Sequence, residues 1–334
     1  MKKLILILVL FLFAFTAKSN TLDDVKNRGY LICGISENLT GFATPNDKGM
    51  WTGFDVDMCR AVAAAVFGDF NKVEFITTTS RSRFPILASG EIDLLARNTT
   101  WTFSRDANLG FEYAGINFYD GQGFMVSKSL GIDSVKDLEG ATVCIEIGST
   151  KEFNINNFFL KNNISFKALL VEIDDDAVEN YLAGRCDVYT NLISELAVLR
   201  IKIPKPSNHI ILPEIISKEP LGPLVRHGDN EWGDIIRWSL NTMIIAEELG
   251  LTSENVDEHF ESNNNEVLRL LGVVGSYGDM LELDYNWAYN IIKQVGDYSS
   301  VFNRNIGPDT ALGLERGLNA LWSKGGILYA PPFK

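Results

Sequence analysis

The sequence predicts an α/β protein of two lobes, each built on a parallel-type sheet flanked by helices. The first observation is a short internal repeat. Residues 86–98 and 180–192 share one pattern: an apolar helical stretch, a glycine, two residues, an aspartate and a short apolar strand. The second is that strands and helices alternate in each half, as in parallel sheets with right-handed crossovers. The third is length, since about 315 residues beyond the N-terminal segment exceed one comfortable core.

In the first half, short apolar runs predict strands over residues 31–35, 73–77 and 92–96. A helix is predicted over residues 54–67, where apolar side chains recur at helical spacing. A second helix ends at Gly90, a residue type that readily adopts the left-handed conformation found after helix C-termini.

The second half repeats this order. Strands are predicted over residues 142–147, 166–171 and 186–190, with one helix that starts near Lys151 and another that ends at Gly184. Each half therefore has the order strand, helix, strand, helix, strand, and we expect strand order 2-1-3 in each sheet.

The N-terminal segment has the features of a cleaved secretory signal. Lys2 and Lys3 precede an unbroken apolar run over residues 4–15, and small residues suited to cleavage follow it. Residues 1–19 are therefore predicted to be a signal peptide, and the remainder is expected to be soluble and outside the cytoplasm. The alternative is an N-terminal membrane anchor.

Composition argues against nucleic acid as a partner and against common catalytic motifs. The chain has 30 basic and 43 acidic residues and a net charge of −13, whereas a phosphate backbone favours a basic surface. Neither HExxH nor GxSxG occurs, and His209, His227 and His259 are too far apart to form a local metal motif. No nucleic acid, metal or cofactor is therefore predicted.

Four cysteines follow residue 19, an even number that predicts disulfides in an exported protein. Cys144 lies in the first strand of the second half, and Cys186 opens its third strand, which the 2-1-3 order places alongside. Cys33 lies in the first strand of the first half, and Cys59 lies in the helix packed on it. We therefore predict the disulfides Cys144–Cys186 and Cys33–Cys59; the alternative is buried free thiols.

Polar residues follow the third strand of each half, at the edge where open α/β sheets bind ligands. These positions are Arg97 and Asn98 in the first half, and Asn191 and Leu192 in the second. Two lobes facing each other would bring both pairs to one ligand, so the sequence predicts an interlobe cleft.

The stretch RNTTWTFSRD combines hydroxyls, an amide and guanidinium groups. Arg105 is predicted to anchor a carboxylate through its planar fork, with Thr100 and Asn98 supplying further bonds. The alternative is that Arg105 pairs with the protein's own acids. Arg81 and Arg83 are instead predicted to lie on a solvated helix face.

A second anion site is predicted at GSTKE, residues 148–152, between a strand and a helix. Helix N-termini offer free N–H groups and a positive dipole end. Ser149 and Thr150 would present hydroxyl and amide groups to the same carboxylate from the second lobe. The alternative is that these residues only cap the helix.

Long strings of residues carry a family resemblance that covers about residues 21–334: RNTTWTFSRD, GFDVDMCRAVAAAVFGD, YDGQGFMV, GRCDVYT, LPEIISKEPLGP, WAYNIIKQVGDY, ERGLNALW and GGILYAPP. They resemble the periplasmic general L-amino-acid-binding proteins of ABC transporters, in solute-binding protein family 3. The resemblance implies a two-lobed periplasmic-binding-protein fold of type II. It also implies a monomer in the periplasm that delivers a small molecule to a membrane permease with cytoplasmic ATPases.

Two hinge crossings follow from the resemblance, near residues 119–125 and 217–222. A large lobe would then comprise residues 20–121 and 220–334. A small lobe would comprise residues 122–219.

The resemblance also implies roles for individual residues. Arg105 corresponds to the family's carboxylate arginine, and Thr100 corresponds to the threonine before it. Ser149 and Thr150 correspond to the pair at the start of the small-lobe helix. Further pocket residues are implied at Ser36, Glu37, Leu39, Ser80 and Asn98.

Two positions depart from the family pattern. Leu192 stands where the family usually has an aspartate that pairs with the ligand's α-ammonium, and Glu146-Ile147 replaces a polar pair. Because an unpaired ammonium in a dry cleft is costly, we hypothesise that Glu146 takes over this recognition and shifts preference toward a differently placed or substituted nitrogen. The alternative is that Glu37 or Glu195 restores the usual site.

The predicted function is capture and delivery of an amino acid or a related amino-carboxylate, without catalysis. One alternative is a lyase resembling cyclohexadienyl dehydratase, with Glu146 as its acid or base. Others are a binding protein for a carboxylate that is not an amino acid, and a sensor ectodomain.

Overall fold

The computed structural model describes residues 20–334. The predicted signal peptide over residues 1–19 lies outside the described residues. Within the described part of the chain, no helix is long and apolar enough to cross a membrane.

Helices and strands alternate along most of residues 20–334. The α-helices are α1 Thr21–Arg28, α2 Phe54–Phe67, α3 Arg83–Ser89, α4 Phe103–Leu109, α5 Lys151–Asn162, α6 Asp174–Leu182, α7 Ile193–Lys202, α8 Asn230–Leu249, α9 Asn265–Leu270, α10 Trp287–Gln294 and α11 Tyr298–Asn305. The strands are β1 Leu31–Ser36, β2 Thr44–Pro45, β3 Trp51–Thr52, β4 Val73–Thr78, β5 Leu94–Leu95, β6 Phe111–Tyr113, β7 Phe118–Asp120, β8 Gln122–Ser127, β9 Thr142–Glu146, β10 Lys167–Val171, β11 Val188–Leu192, β12 His209–Ile211, β13 Glu219–Leu221 and β14 Leu224–Arg226.

Two five-stranded sheets form the framework, with strand orders β4-β1-β5-β14-β6 and β10-β9-β11-β8-β12. The first three strands of each order are parallel, which confirms the expected 2-1-3 arrangement. The remaining two strands of each sheet are antiparallel, so both sheets are mixed rather than parallel throughout. Of these strands, β8 enters just after the first crossing between sheets and β14 enters just after the second, which local spacing does not reveal.

The predicted elements agree with the structure except at some ends. The helix expected over residues 54–67 is confirmed as α2. The strand expected over residues 92–96 is reduced to β5, because the Asp93 carboxylate accepts the Ile32 N–H at 2.8 Å in place of a strand carbonyl. The strand expected over residues 186–190 is shifted two residues onward, to β11.

A two-stranded ribbon joins the sheets near the two positions where hinge crossings are expected. Strand β7 leads from the first sheet to the second, β13 leads back, and the two pair antiparallel with Tyr119 opposite Pro220. From these crossings we infer a large lobe of residues 20–121 and 220–334, and a small lobe of residues 122–219.

The main hydrophobic core lies beside the first sheet, where α2, α8, α10 and α11 pack together. Helix α2 is buried on most of its surface because small alanines in its second half let neighbouring helices approach. Helix α8 begins where Asp229 accepts the Trp232 N–H, and the Trp232 indole donates to the Asp93 carbonyl at 2.9 Å. The core thereby fixes the strand that precedes Arg97.

Both predicted disulfides are present, and no described cysteine is free. The Cα atoms of Cys33 and Cys59 are 6.2 Å apart, and those of Cys144 and Cys186 are 5.7 Å apart, within the usual range. The first disulfide ties β1 to α2, and the second ties β9 to the turn before β11.

Candidate functional site

A cavity of about 120 Å³ lies between the two lobes, at the carboxyl ends of the central strands. Twelve residues predicted to line the site do line this cavity, hereafter the cleft: Ser36, Glu37, Leu39, Ser80, Arg97, Asn98, Thr100, Arg105, Glu146, Ser149, Thr150 and Leu192. Asn191, which was also expected at the ligand, does not line the cleft, because its side chain is fully buried. The lobes touch across it, since Arg81 Nη1 lies 2.8 Å from Glu172 Oε1. The two walls of the cleft are therefore in direct contact at its rim.

Arg105 projects from the first turn of α4, which Thr102 caps by accepting the Arg105 N–H. Its side chain is buried, donates from Nη1 to the Thr100 carbonyl at 2.9 Å and lies 5.2 Å above the Phe84 ring. Burial lowers the pKa of Arg105. Within residues 20–334 no carboxylate lies within 4.0 Å of it, so its charge lacks a direct counterion.

Two further arginines share this wall of the cleft. Arg97 donates from Nε to the Thr78 carbonyl at 3.0 Å and from Nη1 to Ser80 Oγ at 3.2 Å. Arg83 is only 3% exposed, and its Nε has no hydrogen-bond partner. Burial, and then the nearby charges of Arg105 and Arg97, lower the pKa of Arg83.

The expected solvent exposure is therefore correct for Arg81, which lies in the turn before α3 and not on a helix face, and wrong for Arg83. Arg81 is exposed and pairs with Glu172, whereas Arg83 is buried in the cleft wall. A sequence signal for Arg83 does exist: it precedes Leu87 by four residues, and that spacing places both on one face of a helix. Leu87 is fully buried.

Asn98 is held in an unusual conformation at the base of the cleft. Its φ of 32° lies in the left-handed region, which asparagine tolerates better than most residues. Its backbone N–H donates to Asp55 Oδ2 at 3.3 Å. Its side-chain oxygen and nitrogen are both buried, and neither has a hydrogen-bond partner among residues 20–334. Because such groups are costly to leave unpaired, the amide is available to a ligand.

The small-lobe wall is organised around Lys151, which the sequence analysis placed only as a helix start. Its buried Nζ lies 3.0 Å from Glu146 Oε2, 3.4 Å from Asp174 Oδ1 and 3.7 Å from Glu195 Oε2. Burial would lower the pKa of Lys151, but the three surrounding carboxylates outweigh it and raise that pKa. Lys151 therefore stays protonated and neutralises part of an acidic cluster.

The three acids of this cluster differ in environment. Burial opposes ionisation of Glu146, but Lys151 and then Arg97 outweigh it and lower the pKa of Glu146. Burial raises the pKa of Glu195 to about 7, and nearby carboxylates add to this shift while Lys151 opposes it. Asp174 is the most open of the three, with a side chain that is 37% exposed.

Asp174 is held firmly despite this exposure. Tyr189 donates its hydroxyl to Asp174 Oδ2 at 2.6 Å, and Asn191 donates its amide to Oδ1 at 3.1 Å. Leu192 ends β11 beside them with a buried side chain that offers no acceptor. Leu192 offers no carboxylate to accept a hydrogen bond, but Asp174 provides one nearby, at the start of α6.

The hydroxyls at the start of α5 bond to the protein. Ser149 Oγ donates to the Glu146 carbonyl at 2.7 Å. Thr150 Oγ1 donates to Glu219 Oε2 at 3.1 Å, and Thr100 Oγ1 donates to the same oxygen from the opposite lobe. These contacts orient the hydroxyls before any ligand is bound.

The loop after β1 completes the cleft. Ser36 is buried at the strand end, Leu39 is partly buried, and Glu37 is exposed at the rim. Within residues 20–334 no cluster of His, Cys, Asp or Glu side chains is suited to a metal ion.

Known proteins resemble this chain over most of its length. Residues 31–260 match the bacterial extracellular solute-binding proteins, family 3. The glutamate/glutamine/aspartate/asparagine-binding protein BztA of Rhodobacter capsulatus is 51% identical, over 97% of this chain and 96% of its own. The general L-amino acid-binding periplasmic protein AapJ of Rhizobium johnstonii is 50% identical, over 98% and 96%.

A solved structure is also similar to this chain. The ABC transporter periplasmic binding protein of Brucella ovis, with glutathione bound, is 48% identical and has a TM-score of 0.92. The match covers 95% of this chain and 100% of that one. The chain belongs to the bacterial extracellular solute-binding proteins, family 3.

Proposed function

We propose that this protein captures an acidic L-amino acid in the cleft and delivers it to an ABC permease. The observation that carries the proposal is the opposite charge of the two walls. The large-lobe wall carries Arg83, Arg97 and Arg105, and no carboxylate of residues 20–334 lies within 4.0 Å of any of them. The small-lobe wall carries more carboxylates than the one cation of Lys151 neutralises. A zwitterion fits this polarity in one orientation.

The ligand's α-carboxylate belongs on Arg105. A buried guanidinium without a counterion is unfavourable, and a carboxylate relieves this through two parallel N–H···O bonds. The contact from Arg105 to the Thr100 carbonyl uses Nη1 and leaves other donors free. The unpaired Asn98 amide lies in the same wall and supplies a further donor.

The α-ammonium belongs on Asp174 in this proposal, which revises the role hypothesised for Glu146. Glu146 already has a cation, since Lys151 lies 3.0 Å from its carboxylate. Asp174 faces the cleft, is more exposed and is held by Tyr189 and Asn191. An aspartate so oriented replaces the acceptor that the family usually has at Leu192.

The second carboxylate of the ligand belongs near Arg83 and Arg97. One α-carboxylate does not neutralise the buried Arg83 and Arg105 together with the half-buried Arg97, whereas L-glutamate or L-aspartate brings a second negative group. The name of the BztA relative, which includes glutamate and aspartate, supports this assignment. Glutathione is a second candidate because the Brucella ovis neighbour holds it and because its glutamyl end has the same ammonium and carboxylate.

We further propose that the protein works in the periplasm as a monomer and without catalysis. Its relatives are named as binding proteins, and AapJ is named as periplasmic. Ligand that bridges both walls favours hinge closure, and the closed form would dock on the permease. The lyase alternative lacks support from Glu146. Lys151 lowers the pKa of this carboxyl group, which makes it a poor proton donor when ionised and also a weak base.

Calorimetry on residues 20–334 tests the proposal with L-glutamate, L-aspartate, L-glutamine, L-alanine and glutathione. We expect the two acidic amino acids to bind most tightly and to be recovered chemically unchanged. At a hundred times Kd, binding should add about 2.7 kcal/mol to the free energy of unfolding. If L-alanine bound as tightly as the acidic amino acids, Arg83 and Arg97 would not take part in ligand recognition. Tighter binding of glutathione would favour the second candidate, and conversion of any ligand would favour an enzyme.

A further inference from the structure

The ribbon between the two sheets consists of β7 and β13, and each strand has an outer edge whose backbone groups need partners. On the β13 side, residues 99–101 supply them, since the Trp101 N–H donates to the Pro220 carbonyl at 2.7 Å. This carbonyl is thus directed away from β7. The residue opposite, Tyr119, likewise directs its N–H and carbonyl away from β13, as alternate pairs of an antiparallel ladder do.

Asn319, in the C-terminal part of the chain, is the partner of that outer edge. Its Oδ1 accepts the Tyr119 N–H at 2.7 Å, and its Nδ2 donates to the Tyr119 carbonyl at 3.0 Å. One side-chain amide therefore makes the two bonds that a neighbouring strand would make. Asn319 is only 4% exposed, so these bonds are costly to lose. The Tyr298 hydroxyl adds a bond to the Asn117 carbonyl at 2.7 Å, just before β7.

Asn319 is itself anchored in the large lobe through Arg316. Arg316 donates from Nε to the Asn319 carbonyl and from Nη2 to Glu247 Oε2, each at 2.9 Å. Its guanidinium lies 5.0 Å from the centres of both the Tyr298 and Phe302 rings. Glu247 belongs to α8 and the two aromatic residues belong to α11, so the contact with β7 is fixed to the main core.

These contacts attach the ribbon to one lobe only. Both of its outer edges bond to large-lobe residues, β13 to residues 99–101 and β7 to Asn319. Only Gly121 separates the end of β7 from β8 of the small-lobe sheet. A movement of the lobes should therefore leave the ribbon with the large lobe and bend the chain at Gly121 and at residues 217–218.

We propose that Asn319 is a positioning residue that clamps the first hinge strand to the large lobe and thereby slows release of the bound amino acid. The clamp restricts the orientations open to the small lobe, so that more molecules hold both walls of the cleft in position for the ligand. The match to the family spans residues 31–260, so this role belongs to a part of the chain beyond it. The proposal rests on the proposed function, because ligand release is one of its readouts.

Stopped-flow release and calorimetry of L-glutamate with Asn319→Ala test the proposal. We expect the release rate and Kd each to rise about fivefold, because a smaller fraction of molecules is competent to bind. Asn319 does not line the cleft, so no contact with the ligand is removed. A purely structural role would lower the free energy of unfolding and leave both quantities unchanged.

Asn303→Ala is the matched control in the same C-terminal region. Asn303 is exposed, and its amide bonds to Ser299 within α11. Its replacement should change the release rate and Kd by less than about twofold, since an exposed amide contributes little. An equal effect of the two alanine variants, or unchanged release in Asn319→Ala, would overturn the proposal.

A second readout needs no ligand. Lys48→Cys and Lys161→Cys place spin labels at exposed positions on the large and the small lobe. In the unliganded protein, the distribution of distances between the labels should be wider with Asn319→Ala than with Asn303→Ala. Equal widths would overturn the proposal. If the unaltered protein binds no L-glutamate, the proposed function fails, and the label distances still decide the role of Asn319.

Tyr298→Phe decides the question if Asn319→Ala does not fold. It removes only the hydroxyl bond to Asn117 and keeps the ring beside Arg316. Loss of this one buried bond should speed release of L-glutamate about threefold. The same release rate as in the unaltered protein would overturn the proposal.

Discussion

Lys151 Nζ lies 3.0 Å from Glu146 Oε2 at the small-lobe wall of the cleft, and both side chains are buried. This ion pair changes what the cleft offers a ligand. The carboxylate that sequence comparison suggested as a receptor for the ligand's ammonium is already paired with the protein's own cation. In the proposed function, ammonium recognition is therefore assigned to the more open Asp174.

Replacing Lys151 by methionine should destabilise the protein by about 3–5 kcal/mol, because it leaves buried carboxylates without their cation. The deficit should shrink as pH falls from 8 to 5. Without Lys151, burial raises the pKa of Glu146 instead of leaving it lowered, so the folded variant takes up protons that the unfolded chain does not. Urea unfolding at both pH values measures this.

The double variant Lys151→Met/Glu146→Gln is the control for the pair. It removes the positive charge of Lys151 together with the buried negative charge of Glu146, so it should recover part of the stability lost in the single variant. A single variant that is as stable as the unaltered protein at pH 8 would show that the cluster tolerates the loss of Lys151.

Arg105→Ala should weaken binding of L-glutamate by about 2–5 kcal/mol, because the α-carboxylate loses its desolvated counterion. This corresponds to a rise in Kd of roughly thirtyfold to several thousandfold. Arg105→Lys should recover only part of the affinity, since an ammonium does not reproduce the planar fork. Calorimetry measures both variants, and near-native affinity of Arg105→Ala would place the α-carboxylate elsewhere.

Arg83 and Arg81 form a matched pair of test positions on one short stretch. Arg83→Met should raise Kd for L-glutamate about tenfold or more and raise Kd for L-glutamine less, because a counterion of the second carboxylate is lost. Its unliganded form should become more stable, because the pKa of Arg83 is lowered by burial and by Arg105 and Arg97. Arg81→Met should change Kd less than about twofold, since its ion pair is exposed.

Calorimetry and thermal unfolding distinguish these outcomes. If Arg83→Met raises Kd for L-glutamate and for L-glutamine by the same factor, Arg83 does not contact the second carboxylate. If it loses stability, the buried guanidinium has a structural role that its unpartnered Nε does not indicate.

The elements that could be predicted from the sequence are those whose signals are local. The helix over residues 54–67 was placed correctly because its apolar side chains recur at helical spacing and Gly68 ends it with a left-handed φ of 66°. The disulfide between Cys144 and Cys186 followed from the strand order alone. The resemblance to a family added the expected hinge crossings and four further residues that line the cleft, Ser36, Glu37, Leu39 and Ser80.

The features that escaped prediction depend on contacts between distant parts of the chain. The antiparallel strand β14 joins the first sheet only after the chain has returned through the hinge. Lys151 meets Asp174 and Glu195 from far along the sequence, so no local pattern shows that its charge is shared. Glu219 escaped prediction for the same reason, because the groups that donate hydrogen bonds to its carboxylate come from both lobes and the hinge.

Removing the disulfide between Cys144 and Cys186 should cost about 4 kcal/mol of stability, and removing the one between Cys33 and Cys59 slightly less. The chain-entropy argument sets this order, because the sequence separations are 42 and 26 residues. Alanine pairs at each disulfide, unfolded in urea without reductant, provide the measurement. The reverse order would show that packing around the cysteines outweighs loop closure.

Asp55 should make the protein more stable at mildly acidic pH than at alkaline pH. It is 2% exposed beneath the cleft, and burial raises its pKa from 3.8 to about 7, against the bonds from Asn98 and Asn117. Because the folded pKa exceeds the unfolded one, the folded state binds the proton more tightly, and stability rises as pH falls from above 7 toward 4.

Asp55→Asn keeps an acceptor for the Asn98 N–H but cannot ionise. Between pH 8 and pH 5.5 the unaltered protein should gain about 2 kcal/mol relative to Asp55→Asn, as measured by urea unfolding. Glu195 and Asp120 also titrate with raised pKa values, but they do so in both proteins and cancel in the difference. A difference that does not vary with pH would mean that Asp55 stays in one charge state across this range.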